Sequence, residues 1–266
     1  MTMPMQHSRR LTLSTLTDDL HLVTSPVYDV TVAVGDLPWL DEFRCTMWLD
    51  NPLWRHLLGA CGFAFADGAW RLKKLTMLDA NAPLPSRWLQ LGSPEMGYVF
   101  DAVAGGFSLE AEKHVQMQCT LYGQPAAPLN THLDAQHATG TPDQCKSHLW
   151  IGPNLPVIAV HKARMDLGAQ ISHGILVGVK PWAEITITRT SKSGSNSLFV
   201  DLHSAWIAGH EATCELEVAV GGQWQPRIKI HGQLAAPPQL ASDAIRVQMR
   251  AYGENCVEIV DPHWSV

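Results

Sequence analysis

Along most of the chain, apolar and polar side chains alternate in short runs, and Gly, Pro, Asn and Asp punctuate them. Alternation puts every second side chain on one face of a strand, so each run reads as a β-strand with one buried face. Val27 to Val34 is such a run and stops at Gly35-Asp36. Gly62-Phe63-Ala64-Phe65 and Trp70 to Met77 follow, the second with Trp70 and Leu72 on one face and Arg71 and Lys73 on the other. Tyr98-Val99-Phe100 reads as a short strand. The cleanest period-two segment sets Val115, Met117, Cys119 and Leu121 against His114, Gln116, Gln118 and Thr120, and Gly123-Gln124-Pro125 ends it. Further strands are predicted over Ile171 to Thr190, Leu198 to Ile207, and Cys214 to Ile230 with a break at Gly221-Gly222. One helix stands out, Asn51 to Leu58, with Asn51 as N-cap and Pro52 at the first helical position. Residues 124 to 147 are polar and turn-rich, which predicts a long surface loop.

About eight strands with one or two short helices predict an all-β, antiparallel sandwich or barrel. Composition agrees: 46% of residues are hydrophobic and 17% charged, enough apolar material for one core, while 20 Gly and 17 Pro disfavour long helices. The formal charge of -6 leaves no general basic footprint for condensing nucleic acid, and Arg9-Arg10 is the one basic cluster near an end. Thirteen His make that charge sensitive to pH, because free imidazole titrates between about pH 5 and 8. The six cysteines, Cys45, Cys61, Cys119, Cys145, Cys214 and Cys256, are dispersed without a CxxC pair, which predicts reduced thiols in an intracellular product. No apolar run is long enough for a membrane span, and Met1 to Leu20 does not read as a signal peptide.

A resemblance adds to this picture. Met165-Asp166-Leu167-Gly168-Ala169-Gln170-Ile171-Ser172, an apolar strand, and then Val179-Lys180-Pro181-Trp182 are similar to the turn and seventh strand of picornavirus-like jelly-roll capsid proteins. Phe63 to Lys74, Val115 to Pro125, and Leu216 to Pro238 with Gly221, Gly222, Trp224, Gly232, Pro237 and Pro238 resemble further strands of that family in the same order. The Gly after Arg71 and the acidic pair before Trp224 are missing. The resemblance implies an eight-stranded antiparallel jelly-roll β-sandwich at residues 21–240, an N-terminal arm at 1–20 and a C-terminal extension at 241–266. It implies a coat protein of a non-enveloped icosahedral virus that acts by self-assembly and carries no catalytic residue or cofactor. Its partners would be copies of itself or sister coat proteins, weakly contacted RNA, and a host receptor or vector. Its place would be the virion, and the host cytoplasm during assembly. The structural corner would be Asp166, Gly168, Gln170, Pro181 and Trp182, with Gly168 reversing the backbone and Pro181 ending the ladder.

Other side chains have chemistry to weigh against this reading. His132, Asp134 and His137, with Cys145 and His148 downstream, are competent metal ligands, but their spacing matches no complete zinc signature, so the expectation is a polar loop and no bound metal. On a strand, Asp201 and His203 share a face, near His210-Glu211. Ser197 or Ser204 would complete a triad there, yet neither lies in a Gly-x-Ser-x-Gly elbow. The Trp residues are spread through the elements as core or interface anchors, and an exposed set would instead suit a β-sandwich carbohydrate-binding module. That module is the alternative reading, and a metal enzyme built on the His132 loop is a third.

Overall fold

A computed structural model describes residues 2–3, 11–16, 22–33, 41–48, 53–59, 61–72, 87–92, 98–112, 115–126, 135–137, 144–153, 155–167, 169–172, 175–179, 181–188, 192–219, 226–252 and 255–260. In chain order the elements are β1 (Thr2–Met3), β2 (Leu11–Leu16), β3 (Leu22–Ala33), β4 (Asp41–Trp48), α1 (Leu53–Leu57), β5 (Phe63–Ala66), β6 (Ala69–Leu72), β7 (Arg87–Leu91), β8 (Tyr98–Ala111), β9 (Val115–Pro125) and β10 (Ala135–His137). They continue with β11 (Gln144–Ile151), β12 (Ile158–Val160), β13 (Lys162–Asp166), β14 (Ala169–Ser172), β15 (Ile175–Val179), β16 (Trp182–Thr188), α2 (Lys192–Ile207), β17 (Glu211–Ala219), β18 (Arg227–Leu234), β19 (Gln239–Leu240), β20 (Ala244–Ala251) and β21 (Val257–Val260).

The antiparallel pairings close into two rings. In the first, β2 pairs with β3, β3 with β4, β4 with β9, β9 with β8, β8 with β7, and β7 returns to β2. This is a six-stranded barrel. Leu13, Phe43, Cys45, Met47, Leu89, Phe107, Leu109, Met117, Cys119 and Leu121 are all buried, every second side chain on β4 and β9, while on β2 and β7 the residues between, Ser14 and Gln90, are buried as well. β3 serves two neighbours by bending at a register shift between Tyr28 and Thr31, where Asp29 has φ 48.

The second ring repeats the strand order. β11 pairs with β12, whose chain runs on as β13; β13 pairs with β16, β16 with β20, β20 with β18, β18 with β17, and β17 with β11. Leu149, Ile158, Met165, Ala183, Ile185, Cys214, Leu216, Ile228, Ile230, Val247 and Met249 are buried in it. β18 also changes neighbour along its length, from β21 to β20. At the change, a Cβ on Gly232 would stand 2.0 Å from the Arg250 carbonyl oxygen, so only glycine allows the two backbones to approach this closely.

The barrels share a seam. β8 stays paired with β9 along one edge, while its other edge pairs first with β7 and then, in its second half, with β13, matching Glu110 to Arg164 and Ser108 to Asp166. β4, β9, β8, β13, β16 and β20 therefore form one continuous sheet across both barrels. β21 carries the small β5–β6 hairpin.

The all-β antiparallel class agrees with the sequence pattern, whereas the described strands exceed the expected eight and their pairings form two rings. Residues 1–20, predicted as an arm, contribute β1 and β2, and buried Leu13 helps close the first barrel. Residues 241–266, predicted as an extension, contribute β20 and β21. The predicted loop at 124–147 contains β10 and the start of β11. The largest local correction is Leu198 to Ile207, which lies in helix α2 rather than in a strand. Leu198, Val200 and Leu202 satisfy a two-residue period, but Leu198, Leu202 and Ala205 also satisfy the helical i, i+4, i+7 spacing, and Leu202 and Ala205 are the buried pair. The helix ends in a Schellman motif. Gly209 has φ 64, its N–H reaches the Trp206 carbonyl at 3.1 Å, and the His210 N–H reaches the Ala205 carbonyl at 3.0 Å. The N-cap pair Asn51-Pro52 lies outside the described residues.

Candidate functional site

The sheet that spans both barrels has one buried face, and period-two alternation sends the other outward. On β13, Ala163 and Met165 are buried while Arg164 is exposed; on β20, Val247 and Met249 are buried while Arg246, Gln248 and Arg250 are exposed. Register then fixes which outward residues are neighbours. Ser108 on β8, Asp166 on β13, Trp182 on β16 and Arg250 on β20 stand in one row across four strands. The next row holds Glu110, Arg164, Glu184 and Gln248. Adjacent strands are about 5 Å apart, so a carboxylate, an indole and a guanidinium sit side by side.

The charges of this face are unevenly satisfied. Lys162 is paired with Glu110 and lies 3.8 Å from Glu112, and Glu110 is the main reason its ammonium pKa is raised. Elsewhere Arg44, Arg71 and Arg227 approach carboxylates at 2.6, 3.2 and 2.8 Å. The Arg227 Nε–H lies near Glu215 and Glu217 without pointing along either, so that contact is one of charge rather than an aligned hydrogen bond. Arg164, Arg246 and Arg250, by contrast, have no carboxylate within ion-pair reach among the described residues. The Arg164 guanidinium stands 5.7 Å from the centre of the half-buried Trp182 ring, a cation–π contact.

Two of the five corner residues named from sequence, Asp166 and Trp182, are direct cross-strand partners. They form the base of a hairpin whose outer part, β14 with β15, is a separate two-stranded ribbon. Pro181 is buried and its carbonyl accepts the Ala251 N–H at 2.9 Å, tying the hairpin to β20. Gln170 pairs with Gly178 in the ribbon, although its side chain lies outside the described residues, as does Gly168 altogether.

The other candidate clusters come apart. His132 and Asp134 lie outside the described residues, and His137 ends β10 beside β3 in the first barrel. Cys145 and His148 belong to β11 in the second barrel, where an odd spacing sends them to opposite faces. Burial pushes the Cys145 thiol up to about 11, and among the described residues no group of three His, Cys, Asp or Glu has metal-binding geometry. On α2, Asp201 and His203 are two helical positions apart and so diverge. The His203 ring instead lies 6.2 Å from Phe199 and 5.5 Å from Trp206, while Ser204 is exposed on the helix.

Within the first barrel Cys45 faces Cys119 across β4–β9, and the Cys61 thiol is close enough to Cys119 for the two to interact. The Cys119 contact and burial hold Cys61 well above the usual thiol range, and burial does the same for Cys45, so these groups behave as small hydrophobes.

Sequence reasoning did not single out Arg164 or Arg250. The signal was present, since Ile245 to Ala251 alternates apolar and polar positions, but only pairing to β16 shows that Arg250 stands beside Trp182. No protein-family model matches this chain, and no curated protein matches it.

Proposed function

We propose that this chain is a structural coat protein that assembles with copies of itself or with sister coat proteins into the shell of a picorna-like virus. The observation that carries the reading is the outward side of α2. Val200 and Ile207, one heptad apart on the helix, are 59% and 69% exposed, with exposed Ser204 between them. Large aliphatic side chains left in water in such a row favour a contact with another surface, because covering them removes apolar area from solvent. The resemblance at Asp166 to Trp182 points to the same class. The eight-stranded jelly roll is the part of that resemblance that fits least, so the proposal rests on surface chemistry and not on connectivity. Symmetric repetition of one contact closes a shell without catalysis.

Electron microscopy and light scattering of the expressed chain, alone and with any sister proteins, test the reading. Closed particles that disappear in the double variant Val200→Lys, Ile207→Lys are the expected result. A protein that stays monomeric at every concentration and with every co-expressed sister protein overturns it.

A further inference from the structure

Trp182 is flanked by guanidiniums on both sides. Arg164 on β13 stacks near its ring, Arg250 on β20 is its direct partner in the ladder, and neither has a carboxylate in ion-pair reach among the described residues. The two strands lie on either side of β16, about 10 Å apart. An exposed guanidinium presents planar donors suited to a carboxylate, and an indole presents a flat apolar surface suited to the C–H face of a sugar ring. Around them stand Asp166, Glu184, Ser108 and Gln248, side chains able to accept hydrogen bonds from hydroxyl groups.

From this arrangement we infer that the outward row Asp166, Trp182 and Arg250, with Arg164 beside it, binds an acidic saccharide, a sugar that carries a carboxylate. The sugar ring packs on Trp182, its carboxylate meets Arg250, and its hydroxyls meet the acidic and amide side chains. A nucleic acid strand would also offer a ring and an anion. It is disfavoured because every phosphate laid along this face passes Asp166, Glu184 or Glu110, whereas a sugar uses carboxylates as acceptors. The inference goes beyond the assembly reading and does not rest on it, since the row lies on the sheet and the apolar stripe on α2.

Calorimetric titration of the intact chain with sialyllactose and with trigalacturonate, against lactose and a short oligouridylate, tests the site. At least one acidic probe is expected to bind, with lactose weaker and the oligouridylate inert. Arg250→Gln is exposed and leaves the core intact, so it should lower that affinity by about tenfold or more, the size expected for losing a charge-assisted hydrogen bond. Trp182→Phe should weaken it less than Arg250→Gln, and Arg71→Gln, on the distant β6, should leave it unchanged. Failure of both acidic probes, equal binding by Arg250→Gln, or tighter binding of the oligouridylate overturns the inference. Particle formation, scored separately by microscopy, is untouched by any of these outcomes.

Discussion

The two barrels share one strand order and differ in how that order is filled. The first packs aromatic and sulfur-bearing side chains, Phe43, Phe107, Met47 and Met117, around the Cys45, Cys61 and Cys119 thiols. The second has no buried aromatic ring among the described residues of its ring strands, and sets Ala163, Ala183 and Ala212 among Ile185, Leu216, Ile228, Ile230 and Val247, with Met165, Cys214 and Met249 as its sulfur-bearing side chains. Their outer faces differ too. β9 shows Gln116 and Gln118, whereas β11, β17, β18 and β21 carry cross-strand rows of alternating charge, Lys146–Glu217–Arg227 and His148–Glu215–Lys229–Glu258. A ring of pairings therefore fixes how many side chains point inward and not which chemistry they bring. In the second barrel the β18 and β20 backbones meet at Gly232 too closely for any Cβ.

That close approach gives the largest expected effect. Gly232→Val places a Cβ against the Arg250 carbonyl, and since backbone cannot rotate away, β18 and β20 must separate; a loss above about 3 kcal/mol is expected in thermal unfolding. Gly68→Ala is the contrast. It has φ +76 but nothing within 4 Å of a new Cβ, so its cost is backbone strain alone, about 1–2 kcal/mol. Equal losses at the two positions would remove the claim that the crossing is crowded.

Next come paired truncations, Leu109→Ala in the first barrel and Leu216→Ala in the second, both fully buried. Each should cost about 2–5 kcal/mol. Because β8 and β13 share a ladder, both should shift one common denaturant transition. Two separate transitions, each moved by one variant only, would show that the seam does not couple the barrels.

The smallest effect concerns pH. His231 accepts or donates one hydrogen bond with Thr213 at 2.9 Å, and burial lowers its pKa; Lys229 adds to this, while Glu258, Glu215 and Glu211 oppose it. With the folded pKa below the ordinary imidazole value of 6.5, the unfolded chain takes the proton first. The contribution of His231 is complete above that value and is lost as pH falls through it towards the folded pKa. His231→Gln should flatten this part of the stability profile between pH 7 and 5 without changing the alkaline side, as measured by urea unfolding at each pH. An unchanged slope would place the acid sensitivity on other groups.

Local alternation located the most regular strands and passed over others, β4, β11 and β20 among them. Val115 to Leu121 reads as a half-buried strand because its neighbours in sequence already specify two faces, and β9 follows that reading residue by residue, from buried Val115 to buried Leu121. Leu198 to Ile207 fits two periods at once, and packing of Leu202 and Ala205 chose the helix. The long β8 was legible only at its start, Tyr98 to Phe100, whereas its continuation to Ala111 is held by pairing with β9 and β13.

By itself, then, the sequence determined an all-β antiparallel chain and the faces of its most regular strands, which depend on residues near each other along the chain; the cross-strand pairing of Asp166 with Trp182 is visible only in the structure. Tertiary structure alone decided the closure into two rings, the place of residues 11–16 and 244–251 within them, the helix at 192–207, and the meeting of Arg250 with Trp182. The physical reason is range. Alternation records which side of a strand is wet, but the partner strand is chosen by packing and register between residues as far apart as 182 and 250, and no local pattern encodes that distance.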